Sequence, residues 1–299
     1  MTEASPLLVR RARDEDLAAM AEVTAEAYHR VDLLTQPRSW PDPVRRPTAR
    51  QGAWIARTRG ALETDPEGCF VAEADGEVVG CAVSRTRELM WILSSFAVSP
   101  THQGQGVGTQ LLQAALHHGR GCLRGMFASS ADPAAVRAYR RACFDLHPQM
   151  VLRGVVDRSD LPVVERVREG SAGDRDLMDS VDRQTRGAAH GPDHDVLLAQ
   201  LRLVVTDHHS GSGYAYLDPD TGAPLLLAAT SRRTASALMW EGLASSPPGS
   251  EVVVAHVTAA NQWALDVGLE ARLEVHQSGY LALRHMAPPS PYVHHGSLL

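Results

Sequence analysis

Apolar and polar positions along the chain fall into alternating strand-like and helix-like stretches. Leu7 to Arg11 reads as a strand, and Asp14-Glu15-Asp16-Leu17 opens a helix with Leu17, Met20, Val23 and Ala27 at helical spacing. Asp32 to Thr48 is rich in Pro and Arg and predicts a loop, followed by a helix over Arg50 to Leu62. Cys69 to Ala74 and Glu77 to Ser84 predict a hairpin across Asp75-Gly76, a pair that tolerates positive φ. Met90 to Val98 is the next strand, and after a further helix Leu123–Ser129 (strand), Pro133–Ala142 (helix) and Met150–Val156 (strand) complete a β-α-α-β-β-β-α-β-α-β order.

The pattern then starts again. Val9-Arg10 with Asp14-Glu15-Asp16-Leu17 is echoed by Val167-Arg168 with Asp174-Arg175-Asp176-Leu177, an offset of about 160 residues that marks a duplicated domain. Strands over Leu203 to Leu217, Pro224 to Ala229, Val252 to Val257 and Tyr280 to Arg284 follow, with helices over Thr234 to Leu243 and Ala259 to Leu273. Arg158 to Pro162 reads as the linker.

The stretch with the most chemistry is Phe96 to Leu112. An apolar strand ends before Pro100, three glycines (Gly104, Gly106 and Gly108) fall within five residues, and an amphipathic helix begins. A glycine turn feeding a helix start gathers unpaired N–H groups where the backbone can approach an anion closely. The P-loop is excluded, since it needs Gly-Lys-Ser/Thr and the chain has no lysine; the dinucleotide pattern G-x-G-x-x-G is not matched either.

Gln103-Gly104-Gln105-Gly106-Val107-Gly108 resembles the Q/R-x-x-G-x-G/A loop of the GNAT N-acetyltransferases. The resemblance implies a mixed α/β fold: two tandem domains, each a twisted mixed sheet flanked by helices, with a catalytic domain over 1–158 and a degenerate one over 163–299. It implies that Gln103, Gly104, Gln105, Gly106, Val107, Gly108 and Thr109 hold the pyrophosphate of acetyl-coenzyme A, and that Phe96, Ala97 and Val98 align its pantetheine arm. Asp132-Pro133-Ala134-Ala135-Val136-Arg137-Ala138-Tyr139-Arg140-Arg141-Ala142-Cys143-Phe144 is similar to the family's N-x-x-A-x-x-x-Y-x-x-x-G-F pattern. That match makes Tyr139 the expected general acid and sets Asp132 at the coenzyme side. Asp132 replaces the family's asparagine and Cys143 its glycine; Asp132-Pro133 still forms a good helix start.

For the general base, Glu88 is the nearest carboxylate, with a water held by Ser94 or Ser95 as the alternative. His29 and Asp32 are candidates to line an acceptor pocket, and His102 lies beside the phosphate loop. In the second half Ala229-Thr230-Ser231-Arg232-Arg233-Thr234 stands where a glycine loop would fall, so one active site per chain is expected. His190, His194, His294 and His295 tempt a metal reading, but Gly191-Pro192 breaks the helix that would align His190 with His194, and no metal is assigned. Asp182 to His194 reads as a structured loop, bordering the acceptor site or tying the domains. In some tandem relatives a terminal carboxylate reaches the active site, which makes the Leu299 carboxylate a further candidate base.

Composition narrows the partners. The chain has 299 residues, 44 % of them hydrophobic, and a formal net charge of −6 with no basic run, which disfavours nucleic acid and anionic membrane. Without lysine, Schiff-base chemistry is excluded. The four cysteines form no C-x-x-C pair, and the start Met1 to Arg10 has no basic region followed by an apolar stretch. A cytoplasmic protein, monomer or homodimer, is expected, acetylating a small-molecule amine from acetyl-coenzyme A in a ternary complex. The rival expectation is a non-catalytic coenzyme A sensor or scaffold.

Overall fold

The computed structural model describes residues 7–159 and 161–299, so the start of the chain and part of the expected linker lie outside the described residues. The chain divides into two compact units, one running up to Gly125 with Ser130–Ala142 added, the other made of Met126–Ser129 and Cys143–Leu299. This division differs from the expected linear boundary near Arg158: the strand at 145–155 groups with the second half of the chain.

In the first unit, β1 (Leu8–Arg11), β2 (Cys69–Ala74), β3 (Glu77–Arg87) and β4 (Met90–Val98) form an antiparallel run in that order. Helices α1 (Leu17–Thr35) and α2 (Thr48–Thr64) cover one face; Met20, Val23, Ala27 and Trp54 pack there on Val71, Cys81, Val83 and Ala97. The other face takes α3 (Val107–His118), and a Cβ on Gly80 would stand 2.9 Å from the tip of Leu111 and 3.1 Å from the Ala97 carbonyl oxygen, so glycine eases the close approach of strand and helix. After β5 (Arg124–Ser129), α4 (Pro133–Arg141) returns to this unit. Arg87 and Asp65 form an ion pair at 2.8 Å whose side chains are 6 % and 3 % exposed, and Asp65 also accepts the Thr86 amide, so the buried charge is fully engaged.

The second unit contains β6 (Asp145–Val155), β7 (Arg168–Glu169), α5 (Arg175–Thr185), α6 (Asp193–Leu198), β8 (Arg202–His208), β9 (Gly211–Leu217), β10 (Pro224–Ala229), α7 (Arg232–Ser245), β11 (Glu251–Thr258), α8 (Gln262–Glu270), β12 (Glu274–Arg284) and β13 (Tyr292–Val293). Strands β13-β10-β9-β8-β7 make one antiparallel sheet. The two-residue period of β9 decides its layers: Tyr214 and Tyr216 face α5 and α6, whereas Ala215 and Leu217 face α7. Elsewhere in the unit β6 lies between β12 and β11, antiparallel to both. The order β7-α5-α6-β8-β9-β10-α7-β11-α8-β12 repeats β1-α1-α2-β2-β3-β4-α3-β5-α4-β6 element for element. No helix among the described residues is long and apolar enough to cross a membrane.

Candidate active site

The site begins with an irregularity in β4. Val83 faces Ser95 and Ser84 faces Leu93, so Ser94 is one residue too many on β4 and forms a bulge, a device that re-aims the residues following it. Ser94 Oγ accepts from Arg85 Nε at 3.1 Å. Ser95 Oγ lies 3.1 Å from the hydroxyl of Tyr28, on α1, and the Phe96 amide donates to that same hydroxyl at 3.4 Å. Burial raises the Tyr28 phenol above its ordinary pKa, so it acts as a neutral hydrogen-bonding group.

Past Val98 the chain makes the glycine turn. Gly104 (φ 77°) and Gly106 (φ 87°) are left-handed with open space where a Cβ would be, so their backbone conformation requires glycine. Gly108 differs from the expectation for it: it is helical, and an added Cβ would make ordinary contacts of 3.5 Å to Phe96 and 3.6 Å to Val98. Gln103 and Gln105 brace the turn by donating to the carbonyls of Val98 and Thr101, both at 3.0 Å. Gly106 is the N-cap of α3 and, lacking a side chain, offers no cap hydrogen bond. The first amides of α3 (Val107, Gly108 and Thr109) therefore carry the positive end of the helix dipole with no side-chain acceptor from the cap. At the corresponding place in the second unit Ser231 Oγ accepts from the Thr234 amide at 3.2 Å, so that helix is capped by its own residue.

Tyr139 reaches the same place from α4. Pro133 at the first helical position and the Asp132 carboxylate, which accepts from the Ala135 amide at 2.8 Å, start that helix. Asp132 thus serves the helix start directly. The buried Tyr139 ring meets Phe96 edge-on, with centroids 6.3 Å apart, so one phenylalanine ring joins the glycine helix to the tyrosine. Burial, with smaller repulsion from Tyr28 and Asp132, raises the Tyr139 pKa and keeps the phenol protonated.

On the α1 side, the Arg46 guanidinium lies over Tyr28 and Trp54 (5.5 and 5.7 Å to the ring centroids) and donates to Thr24 Oγ1 at 3.0 Å. Tyr28 and Arg46 are the residues that sequence reasoning missed. The visible signal was the neighbourhood of Tyr28: of the acceptor-pocket candidates His29 is the next residue and Asp32 lies one turn on, but Tyr28 is the one whose hydroxyl meets β4. Burial raises the Asp32 pKa, with His29 opposing. His102 Nδ1 lies 3.0 Å from Thr101 Oγ1.

Glu88 is not at this site. It lies exposed in the β3–β4 turn with φ 53°, at the far end of β4 from Val98. At ~3.3 Å per residue that is roughly 25 Å from the end of the strand that leads into the glycine turn, so Glu88 stands away from the groups gathered there and is withdrawn as the base. The carbonyl oxygen of Leu299 accepts from Arg186 within the second unit, and Leu299 is fully buried there. His190 and His194 do come together, against expectation, with ring centroids 5.2 Å apart. Gly191 (φ 55°) turns the chain between them, and α6 restarts at Asp193.

Residues 12–143 match the Acetyltransferase (GNAT) family. No curated protein matches the chain. Among solved structures, one from Pyrococcus horikoshii described as a candidate acetyltransferase has a TM-score of 0.75 at 17 % identity, covering 98 % of this chain and 95 % of that one. A GCN5-related N-acetyltransferase from Sphaerobacter thermophilus (TM-score 0.58, 16 % identity, 95 % and 96 % covered) and one from Kribbella flavida (0.58, 16 %, 93 % and 71 %) share the fold. The uncapped glycine turn and the bulged strand both lie within residues 12–143, the segment that matches the acetyltransferase (GNAT) family.

Proposed function

We propose that the chain moves the acetyl group of acetyl-coenzyme A to a primary amine of a small molecule by direct attack in a ternary complex. The observation that carries this reading is the Phe96 ring, which adjoins Gly108 of the glycine helix on one side and Tyr139 on the other. The pyrophosphate would rest on the amides from Gln103 to Thr109, with Phe96, Ala97 and Val98 along the pantetheine arm. The amine nitrogen attacks the thioester carbon and loses its proton to a water that Ser94 or Ser95 would hold, the C–S bond breaks, and Tyr139 gives its proton to the departing thiolate and is reprotonated from solvent. Ser95 and Tyr28 would orient the incoming amine. Residues 163–299 are read as a second copy of the fold without a coenzyme site, on the repeated element order and the capping of α7 by Ser231.

The test is acetyl-coenzyme A consumption against a broad amine panel, with Tyr139→Phe alongside. Turnover should fall by about 10²-fold or more in the variant while coenzyme binding persists, the usual scale for a general acid. Coenzyme binding with no amine ever acetylated would favour the sensor reading.

A further inference from the structure

The second unit holds a polar cluster that acetyl transfer does not use. Asp182 and His190 flank the end of α5, His194 lies on α6, and all three are fully buried with ligand-type atoms within 4.8 Å of one another. Every member but one atom is hydrogen-bonded. Asp182 Oδ1 accepts from the Tyr214 hydroxyl at 2.5 Å, and Oδ2 accepts from the His190 amide at 3.1 Å and lies 2.7 Å from His190 Nδ1. His194 Nδ1 lies 3.1 Å from the Tyr216 hydroxyl. The exception is His194 Nε2, a buried nitrogen with no hydrogen-bond partner.

That nitrogen is aimed between two carboxylates. It stands 3.3 Å from Asp182 Oδ2 and 3.4 Å from Asp179 Oδ1, without the alignment a hydrogen bond needs. Nitrogen and oxygen ligands 2.0–2.2 Å from a tetrahedral cation stand about 3.3–3.5 Å apart, which is the spacing found here. We propose that His194 Nε2, Asp182 and Asp179 bind a divalent transition-metal cation of the zinc class.

The surroundings suit such a site in three ways. Two carboxylates balance a divalent charge that a lone imidazole would not. Each ligand has an outer partner that fixes it: Tyr216 on His194 Nδ1, His190 and Tyr214 on Asp182, and the Gly191 amide on Asp179 Oδ1 at 3.1 Å. An entry path exists too, since the Asp179 side chain is 16 % exposed while the other two are closed off. A mixed imidazole and carboxylate set at tetrahedral spacing favours Zn²⁺ over Ca²⁺, which takes oxygen ligands only, and over Mn²⁺, which prefers octahedral oxygen sites.

The full chain, stripped with chelator, should take up one equivalent of Zn²⁺ by calorimetry and metal analysis, with a rise in Tm. Co²⁺ should give the visible absorption of a low-coordinate site. Asp179→Asn keeps the acceptor for the Gly191 amide but loses the charge, and should weaken uptake by about 10²-fold while the metal-free Tm stays near the original. Tyr216→Phe should weaken it 10- to 100-fold through the outer partner. If the chain takes up no metal, or if Asp179→Asn binds as tightly as the parent, the proposal is overturned; a proton on His194 then fills the gap between the carboxylates.

Discussion

Gly106 and Gly108 stand two residues apart, and the structure asks different things of them. Gly106 is left-handed at φ 87°, a conformation that costs an alanine about 1–2 kcal/mol, so Gly106→Ala should lower both stability and coenzyme affinity. Gly108 is helical, and a Cβ there touches Phe96 and Val98 only at ordinary contact distance. Alanine is the better helix former by up to about 1 kcal/mol, so Gly108→Ala should leave the free protein as stable or more so. The loop pattern that this turn resembles, Q/R-x-x-G-x-G/A, admits alanine at the position of Gly108, so Gly108→Ala should bind coenzyme A about as the parent does, whereas Gly106→Ala should raise the dissociation constant. Thermal melts with and without coenzyme A separate the two effects. Equal affinity in Gly106→Ala and the parent protein would move the ligand off the turn.

At the scale of elements, α4 decides where Tyr139 points. The helix is only nine residues long, and its start depends on Pro133 and on the Asp132 carboxylate bound to the Ala135 amide. Asp132→Ala should cost about 0.5–2 kcal/mol and, by loosening the first turn, lower turnover more than coenzyme binding; urea unfolding and steady-state kinetics check it. The sequence made this element readable because capping is local: acid, proline and tyrosine lie within one eight-residue window. The hairpin of β2 and β3, the span of β4 and the glycine turn were legible for the same reason. What stayed hidden depends on partners distant in the chain. Tyr28 reaches β4 through the packing of a helix face 67 residues away, and periodicity along α1 does not say which hydroxyl will arrive. Glu88 looked near the site because it is near in number, but an extended strand carries it to the opposite end. Read from its sequence, Asp182 to His194 was a structured loop, whereas its ends belong to α5 and α6 and a left-handed glycine folds the two histidines together.

For the molecule as a whole, the second unit holds an acid-sensitive point where β11 pairs with β6. β11 carries a bulge between Val254 and Val257 where it pairs with β6, and His256 occupies it with φ 64°. The turn stacks its ring on His294 at 4.6 Å between centroids, and Gln149 bridges the pair, 3.2 Å from His256 Nδ1 and 2.6 Å from His294 Nε2. Burial lowers the His256 pKa to about 4, and burial with repulsion from His256 puts His294 well below its usual range. Both rings are therefore neutral in the folded chain at pH values where the unfolded chain already binds a proton. Between about pH 6.5 and 4 the unfolded state holds more protons, so stability is fully present above that window and is lost as pH falls through it. Each such group contributes at most about 1.4 kcal/mol per pH unit. Carboxylates with lowered values, such as Asp16 held by Arg10, act only below this window, near and under the ordinary aspartate value. The expected result is a fall in Tm from neutral pH to about 4.5, with a shallower fall in His256→Gln, whose amide still faces Gln149 but takes up no proton. If the variant and the parent lose stability at the same rate over that range, this buried pair is not the source of the acid sensitivity.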